Sequence, residues 1–152
     1  ACNNQEENRN RNDSRVSQRA LREIYLKGFE ICIANACPLT LMSSYNQING
    51  LWAHYQYDLC TGILRQEWGY DGLVMTDWWM QPCADPDFPA LTNDAYRVRA
   101  QVDVLMPGSV AFEDPTMDPS LLESLKRQDG ITLGEVQRSA ENVLKLCARL
   151  KG

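Results

Sequence analysis

Histidine is almost missing from this chain, with one residue, His54, among 152. The six cysteines include no Cys-x-x-Cys pair. Zinc and redox centres built from closely spaced thiols and imidazoles therefore find no support, and no metal or other cofactor is expected. No apolar run is long enough to span a bilayer, and no secretory signal opens the chain. Basic residues are in deficit, 15 against 20 acidic, and the net charge is −5. That balance argues against a nucleic-acid partner, which would select for basic patches. The one dense basic stretch, Arg9 to Arg15, is broken by Asn10, Asn12 and Asp13 and reads as a solvated loop. There is no internal repeat and no low-complexity tract. Disorder is not expected either, because 44% hydrophobic residues is ordinary for a folded chain.

The cysteines that are present do not look like a spaced disulfide framework, so reduced thiols are expected. Cys32, Cys60 and Cys147 fall on apolar faces of predicted helices, where a thiol packs as a small hydrophobe. Cys32 and Cys37 are near enough in sequence to meet, and Cys83 lies in a loop.

The most telling positive feature is Gly72-Leu73-Val74-Met75-Thr76-Asp77-Trp78-Trp79. A short apolar run bounded by Gly69, Tyr70, Asp71 and Gly72 reads as a buried strand. Asp77 then stands at its C-terminal edge, where catalytic side chains emerge in parallel α/β architectures. A carboxylate beside indole rings suits a site that attacks or stabilises an oxocarbenium-like centre while the rings stack on a pyranose. An aspartate at a strand end also serves as a helix cap, and the octapeptide alone leaves both readings open.

A second strand-like run, Leu39 to Asn46, leads into the turn signal Asn49-Gly50. Tyr55 to Trp68 reads as a helix, with Leu59, Ile63, Leu64 and Trp68 on one stripe. Strand, loop, helix and strand make the βαβ unit of a parallel sheet, which would bring Tyr45 and Asp77 to one edge of neighbouring strands. Elsewhere Ala1 to Asp13 reads as a surface loop. Ser14 or Ser17 caps a helix through about Asn35, whose buried stripe would be Leu21, Ile24, Tyr25, Phe29 and Ile33; Pro38 fits its stop. A weak helix is expected from Asn93 to Gln101, a last strand from Val102 to Met106, and helices near Pro119 to Gln128 and Leu133 to Lys151. Thr132 with Glu135 forms a capping box for the last.

These segments resemble family 3 of the glycoside hydrolases, the β-glucosidase and β-xylosidase group. The resemblance rests on Ala1 to Glu6, Ser17 to Leu26, Met42-Ser43-Ser44-Tyr45-Asn46 through Asn49-Gly50, Ile63-Leu64-Arg65 to Trp68-Gly69, Gly72 to Trp78, and Asp103-Val104-Leu105-Met106-Pro107-Gly108. They follow the family's order across nearly the whole chain. The resemblance implies an α/β fold of parallel βα units forming about half of a TIM-type (β/α)8 barrel. Residues 1–152 would then be a single partial domain, the C-terminal half of the family's N-terminal barrel domain. It also implies that the true N-terminus lies upstream, so the missing secretory signal carries little weight.

The resemblance assigns roles residue by residue. Asp77 matches the nucleophile of a retaining mechanism, and Tyr45 a position beside it that orients the carboxylate. Trp78 and Met42 match positions lining the sugar pocket. Trp79 is a weaker candidate, since alternation would send it to the opposite side. Trp52 and His54 are expected on the site's rim, with His54 solvated and outside the catalytic set; Glu6 and Arg9 would at most support the pocket from behind. The family's acid/base glutamate lies beyond this chain, and Asp71, Asp85, Asp87 and Glu113 do not match it. The expected partners are a β-linked glucoside or oligosaccharide and either the remainder of the same enzyme or a second copy of the chain. No nucleic acid or membrane partner is expected. Two function classes follow: part of a glycosidase's catalytic domain, or a carbohydrate-binding or structural fragment that does not turn over alone. Glucosidase and xylosidase specificity are not separable here.

Overall fold

The computed structural model describes residues 1–85, 87–107 and 119–151. Its centre is a parallel strand pair, β2 (Thr40–Met42) and β5 (Leu73–Met75), in register Thr40 to Leu73, Leu41 to Val74 and Met42 to Met75. The ladder begins where Leu73 N–H donates to Leu39 O at 3.0 Å and continues where Ser43 N–H donates to Met75 O at 2.9 Å. Gly72 is required at its start, because a Cβ there would come within 2.8 Å of Leu39 O and closer still to the Tyr70 ring. On the other flank of β5 the expected strand from Val102 to Met106 is reduced to one parallel bridge, Met75 with Val104. The Asp103 and Val104 N–H groups both donate to Val74 O, at 2.7 and 3.1 Å. Parallel strands need helical crossovers, and the chain supplies them: residues Asp58–Glu67 between β2 and β5, and α3 (Asn93–Arg99) between β5 and Val104. The fold is α/β, as expected.

The first helical stretch runs as α1 (Gln18–Ala20), a wide π-turn over Leu21–Tyr25, and α2 (Lys27–Ala36). Ser17 is its N-cap, with Oγ accepting from Ala20 N at 3.1 Å. The predicted stripe is wrong in phase. Leu21, Leu26 and Ile33 are buried, whereas Ile24, Tyr25 and Phe29 are exposed. The cause is the π-turn, in which Leu26 N–H reaches back five residues to Leu21 O. One extra residue in the turn rotates everything after it, so the buried face reads i, i+5, i+12 instead of a regular helical repeat. Cys37, with φ of 43°, ends α2 in the left-handed conformation just before Pro38.

Two further differences concern the cysteines and the C-terminal helices. All six thiols are free, but Cys32 and Cys147 are exposed while Cys2, Cys60 and Cys83 are buried. α4 (Ser120–Ser124) is shorter than expected, and α5 (Leu133–Lys151) matches its predicted span. The capping box forms: Thr132 N–H donates to Glu135 Oε2 at 2.7 Å and Glu135 N–H to Thr132 Oγ1 at 3.3 Å. Gly108 and Glu113 lie outside the described residues.

Buried ionic chemistry ties the helices to β5. Asp103, its side chain fully covered, accepts from Arg65 Nη2 at 2.5 Å, Val74 N–H at 2.9 Å and Asn142 Nδ2 at 2.8 Å. Arg65 also donates to Gly72 O at 3.0 Å and Gln101 O at 3.1 Å. One pair thus joins the Asp58–Glu67 crossover, both ends of β5's neighbourhood and α5. Near the C-terminal end of α5, Arg149 grips Asp71 at 2.5 Å. Removing one partner of a buried pair strands the other charge. Asp103→Ala should therefore destabilise the fold by about 3–5 kcal/mol in urea unfolding, far more than Asp71→Ala at the exposed pair. Equal effects from the two substitutions would show that Asp103 is not the anchor.

Candidate active site

The site grows from the register of β2 and β5. Tyr45 lies three residues past Met42, and Asp77 two past Met75, so the paired strands end side by side with these two groups at one edge. Thr76 holds that edge still. It is buried, its N–H donates to Val104 O at 2.9 Å, and its Oγ1 accepts from Met106 N–H at 2.8 Å. Asp77 is then half-exposed, and its Oδ1 accepts from Trp78 N–H at 2.8 Å.

Tyr45 and Asp77 interact. The Tyr45 hydroxyl is pushed above its ordinary value first by burial and then by its hydrogen-bonding contact with the Asp77 carboxylate. A phenol so raised stays protonated across any working pH and presents a donor to the carboxylate. The ring is backed by Arg9, whose guanidinium carbon lies 4.9 Å from the ring centroid while Nη1 pairs with Glu6 at 2.8 Å. Arg9, expected in a solvated loop, thus packs on the face of the Tyr45 ring while its side chain stays 44% exposed.

The approach loop is held by a small sheet. β3 (Gln47–Ile48) and β4 (Leu51–Trp52) form a hairpin on the Asn49-Gly50 turn, both residues having positive φ, and β1 (Asp13–Ser14) pairs in parallel with β3. The Asn49 amide clamps Val16, accepting from its N–H and donating to its O, both at 2.9 Å. Buried Asn46 donates to Cys2 O at 3.2 Å. Tyr45 therefore sits in a loop closed on both sides by side-chain bonds.

The other predicted positions divide. Trp78 is half-buried next to Asp77. Trp79 is exposed and has φ of 52°, so the path stops being extended there and alternation no longer decides its direction. Met42 is exposed, at 53%, and pairs in register with Met75 at the end of β5. Of the other carboxylates, Asp71 is six residues from Asp77 at the opposite end of β5, roughly 20 Å along an extended chain, and is spent on Arg149. Asp85 and Asp87 lie together in the loop before α3. Among the described residues no group of His, Cys, Asp and Glu is arranged to hold a metal ion, and no helix is long and apolar enough to cross a membrane.

His54 is a correction. It was expected to be solvated on the rim, yet it is completely buried. Its Nδ1 accepts from Arg97 Nε at 3.1 Å, and Arg97 also binds Asp94 at 2.6 Å and Gln81 O at 2.8 Å. The signal for this partnership lay in α3, whose Arg97 and Asp94 are one turn apart, but the pairing across 43 residues is tertiary. The network fastens the segment after Trp79 to the end of the β3–β4 hairpin.

Against this geometry the comparisons decide the family. The sequence model of the glycosyl hydrolase family 3 N-terminal domain matches residues 3–146. The chain belongs to glycoside hydrolase family 3. It is 46% identical over 144 residues to a β-glucosidase of Ruminococcus albus, a match covering 94% of this chain and 15% of that protein. It is 40% identical over 146 residues to an exo-α-(1→6)-L-arabinopyranosidase of Bifidobacterium longum, covering 96% and 17%. Among solved structures, a β-glucosidase from Paenibacillus barengoltzii superposes with a TM-score of 0.80 at 43% identity, over 95% of this chain and 16% of that one. β-Glucosidase 3B from Thermotoga neapolitana, solved in complex with glucose, gives 0.78 at 35% identity, over 95% and 19%. The chain thus spans about one-sixth of the length of these relatives.

The buried histidine makes a pH prediction. Burial first, and the Arg97 charge second, hold its pKa well below the ordinary imidazole value. The unfolded chain therefore takes up a proton near pH 6.5 that the folded chain refuses, and stability falls as pH drops below about 6.5. Between pH 7.5 and 5, wild type should lose up to about 1.4 kcal/mol per pH unit relative to His54→Gln. Parallel stability profiles for the two proteins would contradict this.

Proposed function

We propose that this chain supplies the nucleophile and part of the sugar pocket of a retaining β-glycosidase acting on terminal β-linked glucosides. The observation that carries the reading is the Tyr45–Asp77 contact at the paired ends of β2 and β5. In this reading Asp77 attacks the anomeric carbon and forms a covalent glycosyl-enzyme. A carboxyl group about 5 Å away protonates the leaving oxygen and then activates water. The Tyr45 hydroxyl and Trp78 N–H orient the carboxylate by donating to it. Trp78 offers a ring to the sugar's C–H face, and Met42 lines the pocket wall.

The acid/base group lies outside this chain. Asp71 is at the wrong end of the strand and paired with Arg149, and Asp85 and Asp87 sit in the loop before α3, so none of them supports that role. The family share of about one-sixth fits a piece of a larger enzyme, the C-terminal half of a barrel domain completed by the remainder of the polypeptide or by a second copy. The arabinopyranosidase among the relatives leaves the choice of sugar to the missing part of the pocket.

A second reading, a carbohydrate-binding or structural fragment inactive alone, draws on the apolar flank of the first helix. Ile24 is 68% exposed and Ile31 53%. Such a surface favours association. Light scattering on the isolated chain should therefore show a self-associated species, with no turnover of an aryl β-glucoside. An active monomer of this length would mean that its acid is among these residues after all.

In the full-length enzyme Asp77→Asn should remove turnover by several orders of magnitude while leaving the fold intact. Tyr45→Phe should cost much less, about tenfold, since it deletes one oriented hydrogen bond. Aryl-glucoside kinetics with circular dichroism check both. Near-normal activity in Asp77→Asn would eliminate it as nucleophile, and a Tyr45→Phe enzyme equal to wild type at every pH would end the orienting role.

A further inference from the structure

The two halves of the candidate site lie on two loops, and a buried arginine joins those loops a second time. The first crossing is the Tyr45–Asp77 contact. On the Tyr45 side, Ala53 N–H donates to Asn46 O at 3.0 Å. The end of the β3–β4 hairpin thus returns to the residue after Tyr45, and His54 follows directly. On the Asp77 side the chain runs through Trp78, Trp79 and Met80 to Gln81. Arg97, on α3, spans the two. Its Nε donates to His54 Nδ1 at 3.1 Å and its Nη2 to Gln81 O at 2.8 Å, while Nη1 pairs with Asp94 at 2.6 Å. All three nitrogens of the guanidinium are engaged, in a planar fork that a lysine cannot reproduce.

Both bridging residues are rigidly set. His54 and Arg97 are buried, and the imidazole stacks on Trp52 at 6.1 Å and meets Tyr55 edge-on at 5.5 Å. Accepting at Nδ1 requires the neutral ring, with its proton on Nε2. The segment they hold is under strain. Trp79 has φ of 52°, a left-handed conformation that a bulky residue adopts at a cost and keeps only where its surroundings over-determine it. Those surroundings are a series of tethers. Trp79 N–H donates to Pro107 O at 3.3 Å, Met80 is buried, and Gln81 O accepts from Arg97. Beyond them Cys83 N–H donates to Asn93 Oδ1 at 2.9 Å and Asn93 N–H to Cys83 O at 2.8 Å. Trp78 lies between Asp77 and the strained residue, so the setting of its ring depends on how firmly residues 79–81 are held.

We infer that His54 and Arg97 are positioning residues for sugar binding, a clamp that fixes the Trp78 wall of the pocket relative to Tyr45. Both are too buried to reach a sugar; they act through Gln81 O and the strained Trp79. The inference rests on the glycosidase reading for what Trp78 binds. Asp77 has anchors of its own in the Thr76 bonds to Val104 and Met106. Loosening the clamp should therefore cost binding more than the chemical step.

The experiment uses the full-length enzyme and two readouts, amide hydrogen exchange over residues 77–83 and kinetics on an aryl β-glucoside. His54→Ala removes the acceptor. Arg97→Lys keeps the charge beside Asp94 but loses the fork, and it provides a folded variant should His54→Ala fail to fold. Each should speed exchange in the segment about tenfold, as loss of one bond implies. Each should also raise KM about tenfold with kcat changed less than about threefold. His54→Gln, whose side-chain oxygen can accept from Arg97, should restore both readouts. Unchanged exchange would overturn the clamp. Faster exchange with an unchanged KM would reduce the pair to a structural role and overturn the inference, as would a His54→Gln enzyme no better than His54→Ala. A parent enzyme with no turnover would sink the glycosidase reading and this inference with it, whereas an active parent with indifferent variants would sink this inference alone.

Discussion

Asp103 is the residue on which the geometry of the site depends. A carboxylate with no exposed side-chain surface is tolerable only when every oxygen is matched, and here Arg65, Val74 N–H and Asn142 match it. Because Val74 is the middle of β5, the same contact that neutralises Arg65 fixes the height of the strand. Two residues further on, Thr76 accepts from Met106 and locks the strand end against the next segment. Asp77 inherits its position from these bonds. The chemistry at the edge is thus held from behind by an ion pair and from the side by a threonine hydroxyl.

The opposing half of the site is held by different means. Tyr45 sits where β2 opens into a loop, and its neighbours contribute amide side chains instead of a salt bridge. Asn46 reaches Cys2 O, and Asn49 clamps Val16 while forming the hairpin turn. Short polar residues can saturate backbone groups in tight loops without the desolvation penalty of a charge. This explains the asparagine-rich character of the loops around Tyr45. It also explains how two groups from different loops meet in a defined geometry.

Much of this was legible in the sequence where the information is local. The Asn49-Gly50 turn, the Thr132–Glu135 capping box, the Ser17 cap and the apolar run ending at Asp77 each carry their own signal. The parallel βαβ order followed from them, and with it the meeting of Tyr45 and Asp77. What the sequence hid is tertiary or depends on one inserted residue. The π-turn at Leu21–Tyr25 shifted the buried stripe from Phe29 to Leu26, because a phase error in one turn propagates along the helix. His54 looked like a loop residue because its partner, Arg97, is brought to it only by the fold. The strand at Val104 shrank to one bridge because Asp103 turns its side chain toward Arg65 and its own N–H, with that of Val104, converges on a single carbonyl, Val74 O.

The central claim is that this architecture presents Asp77 as the atom that bonds to sugar. The most direct measurement is covalent trapping of the full-length enzyme with 2-deoxy-2-fluoro-β-glucosyl fluoride, whose second step is slow, followed by peptide mass spectrometry. The account predicts one added fluoroglucosyl group, carried by the peptide containing Asp77 and located on that residue by fragmentation. A label on any other carboxylate, or turnover of a glucoside with no trapped intermediate, would contradict it.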